Sequence, residues 1–161
     1  MLFNLFKQTT KRLLIKSPVD GEVIEIINVP DEVFAQKLIG DGVAVIPEAD
    51  IFVSPVDGIV TAVFPTKHAI GIRTKEGIEV MIHVGIDTVK LNGEGFDVFV
   101  SEGDKVKVGD KLLKVERTLI KSKAKSLVSP IVVTNMDRIK EFKKMTGKAT
   151  AGQTVVIEAV I

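Results

Sequence analysis

Two side chains in this chain of 161 residues suit proton or group transfer near neutral pH: His68 and His83, its only histidines. The chain has no cysteine, which removes a thiol nucleophile, a thiolate zinc site and a disulfide scaffold. A neutral imidazole offers one bare nitrogen while the other carries a proton, so a histidine pair supports three kinds of chemistry. Zinc would need a third ligand, and Asp87, four residues after His83, is the candidate. Acid–base hydrolysis would need a nucleophile or an activated water, and no Gly-x-Ser-x-Gly elbow occurs. Phosphoryl transfer onto an imidazole would need a free ring nitrogen and a second donor for the phosphoryl oxygens. No Gly-x-x-x-x-Gly-Lys-Ser/Thr loop occurs, which argues against direct use of ATP. The residues alone leave all three open.

The elements that must position the pair read as strands. Short β-branched runs at 22–28, 43–46, 58–64, 69–74, 78–85, 111–116, 131–134 and 154–160 alternate with turns such as Asp20-Gly21, Asp41-Gly42, Asp57-Gly58 and Gly109-Asp110. That pattern predicts an all-β fold with a few short helical turns, at 32–38 and 87–91. Ile139, Phe142 and Met145 have three-residue spacing, which by itself suggests a helix. Ser17-Pro18-Val19-Asp20-Gly21 recurs as Ser54-Pro55-Val56-Asp57-Gly58, and a third Ser-Pro, Ser129-Pro130, opens another β-branched run. A repeated strand–turn unit predicts a sandwich-like barrel with internal duplication.

The two histidines lie in neighbouring runs joined by Lys75-Glu76-Gly77. Paired residue numbers in a hairpin sum to a constant. A two-residue loop gives 151 and sets His68 opposite His83. A three-residue loop with Gly77 in the left-handed region gives 152 and sends the rings to opposite faces. The apolar alternation of Ile70, Ile72, Ile78, Val80, Ile82 and Val84 favours the second register. A bulge, or a late strand start after Pro65, would restore the first.

Composition narrows the partners. Lys+Arg at 22 against Asp+Glu at 21 leaves net +1, a balance that argues against nucleic-acid binding. Residues 1–14 are expected to be a tail or a short amphipathic helix, since Leu2, Phe3, Leu5 and Phe6 precede Lys7, Lys11 and Arg12. That arrangement allows weak contact with an anionic membrane surface. It is the wrong order for a signal peptide, so a cytoplasmic location is expected, with one domain over residues 15–161.

The stretch from Phe64 through Thr66, Lys67 and His68, and the stretch Ile82-His83-Val84-Gly85-Ile86-Asp87-Thr88-Val89-Lys90-Leu91-Asn92-Gly93-Glu94-Gly95-Phe96, resemble the glucose-type enzyme IIA of the bacterial phosphoenolpyruvate-dependent sugar phosphotransferase system. The resemblance runs on through Ser101–Asp110, back to Val29–Phe34 and forward to Ser129–Met136. It implies a duplicated all-β fold with a strand near Phe142–Met145. It also implies a phosphohistidine carrier that takes a phosphoryl group from the histidine-containing phosphocarrier protein and passes it to a cysteine on the IIB unit of a sugar permease. On this resemblance His83 is the phosphorylated residue and His68 its helper. Thr66 orients the helper, and the Gly85 carbonyl binds the active ring. Asp31 and Asp87 fall at the acidic rim, and Phe34, Leu38, Ile39, Phe64, Met81 and Val89 in the apolar contact ring. Met81 and Gly71 depart from the usual family residues. No cofactor is required, although zinc could be held between His68 and His83 in a regulatory complex.

Other functions compete less well. A zinc hydrolase on a related duplicated scaffold would want a His-x-His pair, and His83-Val84-Gly85 does not supply it. A lipoyl- or biotinyl-type carrier, suggested by the turn-rich segment 102–113, would need a Met-Lys-Met-like tip. A regulatory binding module without transfer is compatible with every residue above. The sugar is not written in the chain.

Overall fold

A computed structural model of the chain describes residues 10–161. The strands are β1 (Arg12–Lys16), β2 (Gly21–Glu25), β3 (Asp41–Pro47), β4 (Ile51–Val53), β5 (Gly58–Val63), β6 (Ala69–Arg73), β7 (Glu79–His83), β8 (Phe96–Val98), β9 (Lys105–Val106), β10 (Lys111–Val115), β11 (Ser129–Val133), β12 (Glu141–Lys144), β13 (Gly147–Ala149) and β14 (Val155–Val160). Two short helices, α1 (Glu32–Ala35) and α2 (Arg117–Lys123), and 3-10 turns at Ile26–Asn28, Thr88–Leu91 and Met136–Arg138 complete the described chain. No helix among the described residues is long and apolar enough to cross a membrane.

The strands form three sheets. An eight-stranded sheet runs β13-β2-β3-β11-β7-β6-β5-β9, and two three-stranded sheets run β1-β14-β12 and β4-β10-β8. One core joins them: Ile15, Val45, Phe52, Ile70, Ile82, Leu112, Ile131 and Ile157, all buried, belong to a single apolar cluster. Alternation along each strand turns these residues inward and leaves the other face of the large sheet for the site.

The strand order is the same from either end of the molecule. β1-β3 with β11-β14 occupy the positions that β4-β6 with β7-β10 occupy in the other half. The two Ser-Pro-Val-Asp-Gly motifs meet at the pseudo-dyad. Lys16 N–H donates to Pro55 O at 3.0 Å and Val53 N–H to Pro18 O at 2.7 Å. Ser17 and Ser54 each donate to the valine two residues on, at 2.7 and 2.6 Å. Asp20 and Asp57 accept from Ala151 and Val108 N–H. Each motif closes its own half and grips the other.

Some local expectations change. Arg12, Leu13 and Leu14, assigned to the tail, pair with Val160, Ala159 and Glu158 of β14, so the domain begins three residues earlier than residue 15. Residues 1–9 of the expected tail lie outside the described residues. Phe142 lies on a strand that pairs with β14, and cross-strand pairing overrides the helical spacing of Ile139, Phe142 and Met145. The helical turn expected over 32–38 stops at Ala35, where the chain runs on to a left-handed Lys37 (φ 60°). Helix α2 was not foreseen. Its Leu119 and Ile120 pack near Gly95, and a seven-residue stretch whose charges are all basic carries little periodicity to read.

Candidate functional site

The site sits on the outer face of the central strands. His83 ends β7 and pairs with Ala69 of β6, while Met81 pairs with Gly71. The small residue thus faces the flexible one across the ladder. Above this face lies a second apolar cluster of Ile26, Val29, Phe34, Ala44, Ile86 and Val132, with Met81 packed against it. Helix α1 brings Phe34 there because Asp31 caps it, accepting from Val33 N–H at 2.8 Å. The Phe34 ring is buried, with its centroid 4.9 Å from that of His83.

His68 reaches the same place by another route. The hairpin takes the 152 register, with Ala69 opposite His83 and Gly77 left-handed (φ 87°). That register was expected to separate the rings, and it does not. Strand β6 starts only at Ala69, and the preceding turn closes with Lys67 N–H donating to Phe64 O at 2.7 Å, Lys67 itself being left-handed (φ 63°). His68 thus lies outside the pleat, and alternation does not govern its side chain. Its ring packs against His83 with centroids 4.8 Å apart at 79°. The Phe64 ring stands edge-on to His68 at 5.6 Å.

Hydrogen bonds define each ring. His83 Nδ1 lies 2.7 Å from the Gly85 carbonyl oxygen. A carbonyl only accepts, so Nδ1 carries the proton and Nε2 is bare in the neutral ring. His68 Nδ1 lies 2.7 Å from Thr66 Oγ1. When the hydroxyl donates, the His68 proton sits on Nε2, where it can be given to a third group. Neither Nε2 has a hydrogen-bond partner among the described residues, yet no buried side-chain nitrogen is left unsatisfied. Both atoms therefore open to the surface.

Electrostatics keep the pair neutral. Burial, reinforced by the neighbouring His68, pushes the His83 pKa down to about 4, against the opposing pull of the Gly85 carbonyl and Asp31. His68 is also lowered by burial, with the Thr66 backbone opposing. At neutral pH the His83 lone pair is free, and bringing a negative phosphoryl group between the rings would favour their charged forms.

The residues expected at the contact surface sort by exposure. Phe64 (38%), Ile39 (37%), Leu38 (68%) and Val89 (53%) are exposed large apolar side chains. Phe34 is instead a wall behind His83, and Met81 is half-buried in the same layer. Asp31 is partly buried at the α1 cap, while Asp87 is exposed on the loop after His83 in a left-handed conformation (φ 61°). The sequence missed Val33, 42% exposed beside Phe34; its neighbour in a one-turn helix was the available signal. It also missed Ser129, whose Oγ accepts from Gly85 N–H at 3.1 Å. Its Ser-Pro motif was visible, its reach to Gly85 was not.

The chain is similar to known proteins in both backbone and sequence. The backbone resembles the solved glucose permease IIA of Mycoplasma capricolum, with TM-score 0.85 at 40% identity over 91% of this chain and 96% of that one. In sequence the chain is 48% identical over 161 residues to the PTS system glucose-specific EIIA component of Bacillus cereus, spanning 99% of this chain and 97% of that protein. It is 44% identical over 156 residues to the Haemophilus influenzae protein of the same description (97% and 94%). Residues 13–139 match the model of the phosphoenolpyruvate-dependent sugar phosphotransferase system EIIA 1 family. The chain belongs to that family, and is a phosphoryl-transfer component of the sugar phosphotransferase system.

Proposed function

We propose that His83 Nε2 is the phosphoryl acceptor, that the donor is the histidine-containing phosphocarrier protein, and that the group passes on to a cysteine of a IIB unit during glucose-type sugar uptake in the cytoplasm. One observation carries the assignment: the Gly85 carbonyl holds His83 Nδ1 at 2.7 Å, so the bare nitrogen is Nε2. In acceptance the donor's nitrogen–phosphorus bond breaks as a bond from Nε2 to phosphorus forms. Nδ1 keeps its proton, and the donor imidazole leaves with the electron pair. In donation the cysteine thiolate attacks and the Nε2–phosphorus bond breaks, restoring the neutral ring. His68 Nε2–H supplies a hydrogen bond to the phosphoryl oxygens that counts chiefly in donation, where charge shifts toward the departing group, while acceptance depends chiefly on the bare Nε2 of His83.

The surroundings support protein partners. Leu38, Ile39, Phe64 and Val89 offer an exposed apolar rim that excludes water when covered, which protects the labile bond. Asp31 and Asp87 add negative charge that suits a basic phosphocarrier surface. No metal is required on this reading. The two rings supply two nitrogens, and no third His, Cys, Asp or Glu joins a metal-holding group among the described residues. A zinc ion would therefore take its remaining ligands from a regulatory partner, and the same lack weighs against a zinc hydrolase. Leu2, Phe3, Leu5 and Phe6 followed by Lys7, Lys11 and Arg12 support weak contact with anionic membrane surfaces, which vesicle sedimentation with and without residues 1–14 tests.

The test is incubation with phosphoenolpyruvate, enzyme I and the phosphocarrier protein, followed by mass spectrometry of the intact chain in base. One added phosphoryl group, lost in acid and absent from His83→Ala, is expected. A phosphate on Ser or Thr, or unchanged labelling of His83→Ala, overturns the assignment.

A further inference from the structure

The carbonyl that selects the His83 nitrogen belongs to a loop with no ladder of its own. Between the end of β7 and the 3-10 turn at Thr88, Gly85 and Asp87 are both left-handed (φ 74° and 61°), and beyond the Val84 N–H bond to His68 O at 2.7 Å the segment pairs only through an isolated bridge of Ile86 with Ser126. A carbonyl on such a loop would ordinarily sample several directions. Here both peptide groups around Gly85 are held. The Val84–Gly85 peptide is gripped at its two ends: Val84 O accepts from Thr88 Oγ1 at 2.6 Å, and Gly85 N–H donates to Ser129 Oγ at 3.1 Å. The Gly85–Ile86 peptide is held by Ile86 N–H donating to Ser126 O at 2.8 Å. Its other end is the carbonyl that receives His83 Nδ1.

Both hydroxyl residues are fully buried, at 0% exposure, and their hydroxyls bond backbone groups rather than either ring. Ser129 gives its proton to Leu127 O at 2.8 Å, so only a lone pair remains for Gly85, and the direction of that bond is fixed. Ser129 opens β11, whose Ile131 pairs with Ile82 of β7. The serine thus ties the loop to the strand beside His83 rather than to a mobile part of the surface.

We propose that Ser129 and Thr88 are positioning residues that lock the Gly85 carbonyl and, through it, hold His83 in the tautomer with its proton on Nδ1. The inference rests on the reading of His83 as acceptor for its catalytic consequence, while its structural content concerns the unphosphorylated ring. An unconstrained neutral imidazole populates both tautomers, and the proton's place is set by the partner of the other nitrogen. Loosening the carbonyl moves protons onto Nε2 and so removes part of the nucleophile, without altering the surface that a partner touches.

The test uses the full chain labelled with 15N-histidine. In the wild type at pH 7, His83 Nδ1 should resonate as a protonated ring nitrogen and Nε2 as a bare one. In Ser129→Ala the two resonances should move toward each other, and Ser129→Thr, which keeps the oxygen, should restore them. Single-turnover phosphoryl acceptance should slow about three- to tenfold in Ser129→Ala, the range expected for one net hydrogen bond. The concentration of phosphocarrier giving half-maximal rate should stay unchanged. Thr88→Val carries the same readouts should Ser129→Ala not fold. Wild-type resonances in both loss variants overturn the proposal, as does a slowed rate with unmoved resonances. Resonances that move in the loss variants while the wild type itself accepts no phosphoryl group uphold the positioning role and defeat the acceptor reading instead.

Discussion

Acidification probes the buried ring through stability. His83 has a folded-state pKa near 4 against 6.5 for the free side chain, chiefly because it is buried and secondly because it faces His68. Between those values the unfolded chain binds a proton that the folded chain refuses. The folded pKa is the lower of the two, so the stability present above pH 6.5 is lost as pH falls toward 4, and the loss is complete below that. At about 1.4 kcal/mol per pH unit the gap corresponds to about 3 kcal/mol, and solvent screening at the open edge of the ring reduces this to about 2 kcal/mol. Carboxylate titration also weakens proteins in acid, so the comparison is with His83→Gln, which keeps the carboxylates and removes the imidazole. Urea denaturation from pH 7.5 to 4 should show the wild type losing about 2 kcal/mol more than the variant. Parallel curves for the two proteins, or a His83 midpoint near 6.5 by NMR titration, would refute the burial argument.

Other perturbations act on other parts of the site. His68→Gln should accept a phosphoryl group at close to the normal rate but donate it to the IIB cysteine about 10²–10³-fold more slowly, the usual cost of one preorganised donor; single-turnover assays of each half-reaction separate the steps, and equal slowing of both contradicts the role. Gly85→Ala places a Cβ 2.6 Å from Thr88 Cγ2 and 3.0 Å from Ser126 O at a left-handed φ of 74°; it should cost about 1–3 kcal/mol in urea denaturation and abolish acceptance. Phe34→Ala removes the buried wall beside His83; it should cost about 3–5 kcal/mol and raise the His83 pKa toward 6.5, because burial is the largest cause of its depression.

The alternation of Ile70, Ile72, Val80 and Ile82 leaned toward the observed hairpin register without fixing it, because a bulge or a late strand start would have given the other. The meeting of the histidines was not legible, since His68 escapes the alternation by standing one residue outside β6, a boundary that spacing does not mark. The repeat of Ser-Pro-Val-Asp-Gly revealed duplication. Its closure was hidden, because half of one unit comes from the carboxyl-terminal strands β11–β14 and carries no second copy of the full motif. Thr66 and Gly85 were identified through the family resemblance, while Ser129 lies 44 residues from Gly85 and only folding brings them together. Phe34 reads equally as core or contact residue in a sequence, and its burial against His83 decides for the wall.

The central claim is that the Gly85 carbonyl leaves Nε2 of His83 as the nucleophile. Phosphorus–nitrogen coupling in the phosphorylated, 15N-histidine-labelled protein tests it at the atom concerned. The account predicts one 31P resonance coupled to Nε2 of His83, with Nδ1 still carrying its proton. Coupling to Nδ1, or to either nitrogen of His68, would contradict it.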